Sequence, residues 1–107
     1  MSESVDIKIT GVLLKEASAW VAQGLEYDIA AQGITIRDAI NAFERTVVGQ
    51  IMLDLKDHKK PLASLPKAPH FYWQKYAQGE LLADGRLPFY LPADVPVRSA
   101  EAELKVA

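Results

Sequence analysis

The sequence predicts an α+β fold: a three-stranded antiparallel sheet packed by one long helix, with a second short helix and a proline-rich extended tail. Three observations lead there. Between Val5 and Leu14, apolar and polar residues alternate at period two, the pattern of a half-buried strand. Between Ile36 and Ile51, apolar residues recur at spacings of three and four, the pattern of an amphipathic helix. The six prolines all fall between Pro61 and Pro96, so the C-terminal part reads as a punctuated tail.

The first strand is Val5 to Leu14, where Val5, Ile7, Ile9 and Leu13 alternate with Asp6, Lys8 and Thr10. Lys15-Glu16-Ala17-Ser18 is a polar, hairpin-length connection to a second strand, Ala19 to about Leu25. A short third strand around Asp28 to Ala31 ends at Gln32-Gly33. A hairpin centred on that connection sets Leu13 opposite Trp20, Gly11 opposite Ala22 and Ile9 opposite Gly24. One face then carries Val5, Ile7, Ile9, Leu13 and Trp20 beside the small Ala22 and Gly24, a surface that receives a helix closely. Val12, Leu14, Val21 and Leu25 fall on the other face, which therefore needs cover from the tail or from another copy of the chain.

Thr35 caps the long helix, with Asp38 three positions on, suiting both the capping pattern and the helix dipole. Ile36, Ala39, Ile40, Phe43, Val47 and Ile51 form its apolar stripe, and the helix runs to about His58. Gly49 in its interior costs about 1 kcal/mol relative to alanine, marking a close contact or a bend. Pro69 starts a second helix, His70 to about Leu82, with Gly79 near its end. Asp84-Gly85 signals a turn, and Pro88, Pro92 and Pro96 confine any strand nearby to an edge. No anchor is evident for Ser99 to Ala107. Residues 1–60 form the core and 61–107 a C-terminal extension of the same domain, as suits a 107-residue chain.

Composition narrows the chemistry. The chain has no cysteine, so disulfides, thiol nucleophiles and thiolate metal sites are excluded. A net charge of −2 argues against general attraction to nucleic acid, and the one basic cluster, Lys56, Lys59 and Lys60, lacks interleaved aromatic residues. The start of the chain, MSESVDIKIT, has no secretory pattern and no apolar run nears the roughly 20 residues that span a bilayer, so a cytoplasmic protein without membrane partners is expected. The two histidines, His58 and His70, have no partners at metal-ligand or catalytic spacing. A metal-dependent nuclease needs converging carboxylates, and the candidates Asp6, Glu26, Asp28 and Asp38 do not share a face in this register. The expectation is therefore no catalytic residue, no metal and no cofactor. The aromatic run Phe71-Tyr72-Trp73 with Tyr76 serves either to dock the second helix or to form an interface, where tyrosine and tryptophan are enriched.

From Trp20 to Phe43 the chain reads WVAQGLEYDIAAQG followed by ITIRDAINAF. A strand of the form W-x-A-x-x-x-E, a strand ending in Q-G and a helix opening T-x-x-[DE]-A, in that order, resemble the HicB-like antitoxin family. The resemblance covers roughly residues 5 to 55, and Ala68-Pro69-His70-Phe71-Tyr72-Trp73 is similar to extensions of its solitary members. Gly24 stands where many relatives have cysteine, and Ile34 where the helix entry is often polar. The resemblance implies a partial ribonuclease-H-like fold, three antiparallel strands and a helix without the nuclease's acidic site. It also implies a bacterial protein that masks a small basic ribonuclease toxin, or a solitary homo-oligomer, dimer or tetramer, with no toxin. Glu26, Tyr27, Asp28, Tyr72 and Trp73 are the expected partner-binding residues. Residues 61–107 do not offer the two consecutive helices of an appended DNA-binding domain, so operator binding is not expected.

Overall fold

A computed structural model describes residues 5–107; the first four residues of the segment used above to argue against a leader lie outside it. The described chain is α+β, with strands β1 (Val5–Glu16), β2 (Ala19–Gly24) and β3 (Ala30–Gly33), then helices α1 (Ile36–Lys56) and α2 (His70–Gln78). Strands β4 (Glu80–Pro88) and β5 (Val97–Val106) follow. No helix among the described residues is long and apolar enough to cross a membrane.

The described residues form a five-stranded sheet in the order β3-β2-β1-β5-β4, which corrects the expected three-stranded sheet and extended tail. β5 lies parallel to β1, with Asp6 beside Ser99 and Leu13 beside Val106, and β4 pairs antiparallel with β5 at the outer edge. Ser99 to Val106 is therefore an internal strand and not an unanchored end. It escapes the proline rule because Pro96 lies just before it and no proline within it. Pro88, the last residue of β4, keeps the edge position its missing N–H requires. Asp84-Gly85 does not turn the chain; it falls within β4, where the register shifts between Leu81 and Arg86 as in a bulge.

The β1–β2 hairpin has a two-residue loop, Ala17-Ser18, with Ala17 at φ 52°, so the expected four-residue connection is too long. Leu13 pairs with Ala22 and Gly11 with Gly24, a shift of two from the expected register. A shift of two preserves which face each side chain takes. Ile7, Ile9, Leu13 and Ala22 thus join Ala100, Ala102 and Leu104 of β5 under α1, whose Ala39, Phe43, Val47 and Ile51 are fully buried. Each large side chain among them contributes about 1.5–3 kcal/mol on burial. Gly11 leaves room for Leu104: a β-carbon there would stand 2.6 Å from Leu104 Cδ2.

α1 starts as predicted, the Asp38 N–H donating to Thr35 Oγ1 at 3.0 Å. It continues through Gly49, where an added β-carbon would meet nothing within 4 Å, so no close contact explains that glycine. α2 is shorter than predicted, because Gly79 already stands outside it and β4 begins at Glu80. It lies on the second face of the sheet, where Tyr72, Trp73 and Tyr76 pack on Val12, Leu14, Leu25 and Ala68. That face is covered by the tail, so its apolar content gives no reason to invoke another copy.

Candidate functional site

β2 leaves the ladder after Gly24, and residues 25–29 turn sharply, with the Ile29 N–H donating to Tyr27 O at 2.7 Å. This turn is fastened to the segment before α2. The Asp28 N–H donates to Pro66 O at 2.8 Å and the Ala68 N–H to Leu25 O at 2.9 Å. Trp73 Nε1 donates to Ala68 O at 3.0 Å, which ties α2 to that same segment. Two regions forty residues apart in sequence are thereby held as one rigid surface, an acidic turn beside an aromatic helix.

The five expected partner-binding residues do not act alike. Both carboxylate oxygens of Glu26 are engaged: Oε1 accepts from the Thr10 N–H at 2.8 Å and Oε2 from Thr10 Oγ1 at 2.6 Å. Glu26 therefore replaces the ladder partner that β2 withdraws after Gly24. Tyr27 turns away and packs against the main core under α1. Asp28 is exposed and uses Oδ1 to accept from Gln23 Nε2 at 2.8 Å. Tyr72 and Trp73 are half-buried beneath α2. Phe71, outside the expected set, is 51% exposed and meets Tyr72 edge-on, ring centroids 5.1 Å apart. Lys75 stands over Phe71 at 5.4 Å.

The carboxylates proposed for a nuclease go to separate partners. Asp6 is exposed and accepts from Arg98 Nε at 2.9 Å, from the other side of the same guanidinium, and from Ser99 Oγ at 2.9 Å. The Arg98 and Ser99 hydrogen bonds lower its pKa to about 2. Glu26 holds Thr10, Asp28 holds Gln23, and Asp38 lies exposed in the first turn of α1. Among the described residues, no group of three or more histidines and acids stands where it could share an ion. Lys56, Lys59 and Lys60 are exposed at and beyond the end of α1, and His58 sits among them at φ 57°. His70 opens α2.

Beyond α2, Lys105 Nζ lies 4.3 Å over the Tyr76 ring. Burial, then the charges of Glu103 and Glu26, raise the pKa of the Tyr76 phenol. Sequence reasoning missed Phe71 as the exposed ring of the aromatic run. The signal was available: with Tyr72 and Tyr76 on the docking side at helical spacing, Phe71 must lie elsewhere. No protein-family model matches the chain, and neither a curated protein nor a solved structure matches it.

Proposed function

We propose that the chain is a HicB-like protein-binding module that works as an antitoxin does, by covering the active surface of a small basic ribonuclease. The reading is supported by the order of its first elements, three antiparallel strands followed by a helix, which the resemblance implies. The observation that carries it is the pair of backbone hydrogen bonds, Asp28 to Pro66 and Ala68 to Leu25, that tie an acidic turn to the segment leading into α2, where Phe71 is exposed and Tyr72 and Trp73 are half-buried. A preorganised aromatic patch with a carboxylate at its rim suits a basic protein, because rigid rings supply contact area at low entropic cost and the charge steers encounter. In this reading Asp28, Phe71, Tyr72 and Trp73 contact the partner, and Glu26 holds the turn in place.

Purifying the tagged chain from its own cells tests this. The expected product is a complex with a small basic protein whose RNA cleavage the chain suppresses. Asp28→Lys and Phe71→Ala are expected to weaken that complex by about tenfold or more each. Repeated recovery of the chain alone would overturn the masking role in favour of a solitary homo-oligomer. A complex indifferent to both substitutions would move the contact to another face.

A further inference from the structure

We infer that the outer edge of β3 accepts an extended, basic segment of another protein as an added strand. The ladder shows which backbone groups are free to receive it. The Leu25 N–H donates to Thr10 O and the Gly24 N–H to Ile29 O, so along β2 the odd-numbered residues bond toward β1 and the even-numbered ones toward β3. The bonded pairs with β3 are then Ala22 with Ala31 and Trp20 with Gly33. The N–H and C=O groups of Ala30 and Gln32 point outward from the edge. No other backbone hydrogen bond among the described residues takes them up, and both residues are exposed. Two donors and two acceptors on alternate residues are matched by an extended backbone.

The two edges of the sheet differ in how they are guarded. β4 is bulged between Leu81 and Arg86, carries the charge of Arg86 and ends in Pro88, three features that discourage strand addition. β3 reads AAQG, with no charge, no proline and no shift of register. Ile34, next in the chain, is 82% exposed and offers an incoming strand an apolar contact. Four residues limit the added strand to a few hydrogen bonds, so charge must contribute as well.

Exposed acids border both ends of β3. Asp28 stands two residues before it, and Asp38 packs against its last residue: a β-carbon on Gly33 would lie 2.5 Å from Asp38 Cβ. Neither acid takes part in an ion pair among the described residues. From Glu16 to Ile36 the chain has no lysine or arginine. Arg37 lies toward the other edge of the sheet, lining a groove with Leu82, Ala83 and Leu87 of β4. Two carboxylates flanking the open rungs suit a segment with lysine or arginine near its ends, and draw it to this edge. The inference goes beyond the masking role and shares only Asp28 with it. Its test uses no ribonuclease, so the two readings fail separately.

Titrating the isotope-labelled full chain with a blocked octapeptide that alternates lysine and valine, followed by amide NMR, tests the inference. The Ala30 and Gln32 amides are expected to exchange with solvent more slowly as peptide is added, while Ala31 and Gly33, already bonded to β2, keep their rates. Gln32→Pro removes an outward donor and no ladder bond, which an edge strand tolerates. It is expected to melt close to the wild type and to bind the peptide about tenfold or more weakly. Should that variant misfold, the peptide carries the test: N-methylating its odd or its even residues removes the donors along one edge or the other. One of these two products is expected to bind about tenfold or more weakly than its counterpart. A glutamate–valine octapeptide is expected to lose about tenfold or more at low salt. Unchanged exchange at Ala30 and Gln32, a folded Gln32→Pro of wild-type affinity, two methylated peptides of equal affinity, or an acidic peptide that binds as tightly would each overturn the inference. Protection of Ala30 and Gln32 that rises with the concentration of the chain alone would give the edge to a second copy, and would overturn it too.

Discussion

Asp54 is the most exacting place to perturb this fold. Among the described residues it is one of two buried polar or charged side chains, 4% exposed on the face of α1 that otherwise carries Phe43, Val47 and Ile51. Its Oδ2 accepts from the Leu62 N–H at 2.8 Å, and its Oδ1 from Gln50 Nε2 at 3.0 Å. Leu62 is fully buried in the main core, and its φ of 65° is a left-handed conformation that costs roughly 1–2 kcal/mol for such a residue. The carboxylate holds that conformation. Asp54→Ala removes a hydrogen bond to a charged group and leaves a buried N–H unpaired, for an expected loss of about 2–3 kcal/mol. In a domain of this size the melting temperature should fall by roughly 10–20 °C. Asp54→Asn can still accept from Leu62 through Oδ1, and Gln50 can turn its amide to accept from the new nitrogen. Its loss should be about 1 kcal/mol. Urea unfolding of the three proteins, with equal slopes, measures both numbers. An alanine variant within about 0.5 kcal/mol of wild type, or an asparagine variant as damaged as alanine, would refute the argument.

Other outcomes follow from the same geometry. Asp6 has a folded pKa depressed to about 2, so its contribution is complete above the unfolded carboxylate pKa and is lost as pH falls through the folded one. Acid unfolding between about pH 4 and pH 2 should therefore flatten in Asp6→Asn, and carboxyl NMR titration should find one aspartate near pH 2. Gly49→Ala should stabilise by about 1 kcal/mol, since the added methyl meets nothing within 4 Å. Gly11→Ala should instead destabilise by about 1–3 kcal/mol, because its methyl would strike Leu104 and the Gln23 carbonyl. Denaturation curves that give both alanines the same sign would contradict this account.

Some of this architecture was legible and some was not, for physical reasons. α1 was legible because its cap and stripe are local: Thr35 and Asp38 lie one turn apart, and Ala39, Phe43, Val47 and Ile51 repeat every four residues. The faces of β1 and β2 were also readable, since parity survived a loop shortened by the positive φ of Ala17. β5 was not recognised. Its alanines, glutamates and lysine are helix formers by propensity, and its partner β1 lies some ninety residues away. Yet Ala100, Ala102, Leu104 and Val106 alternate strictly with Ser99, Glu101, Glu103 and Lys105, and period two outweighs propensity here. Asp54 also left a trace: it continues the spacing of Val47 and Ile51, and an acid on an apolar stripe asks for a buried donor. That the Asp28 turn lies against the segment leading into α2 left none, because it depends on two backbone hydrogen bonds across about forty residues.

The position of β5 between β1 and β4 also bears on how the molecule assembles. β1, β2, β3 and α1 are consecutive and meet through short connections, so they can gather early. Until β5 arrives, the other edge of β1 offers a long row of unpaired N–H and C=O groups, from Val5 to Leu13. Any β5 in reach can occupy it, including that of a neighbouring molecule. Crowded refolding therefore favours exchange of C-terminal strands between chains, producing intertwined dimers that dilution does not separate quickly.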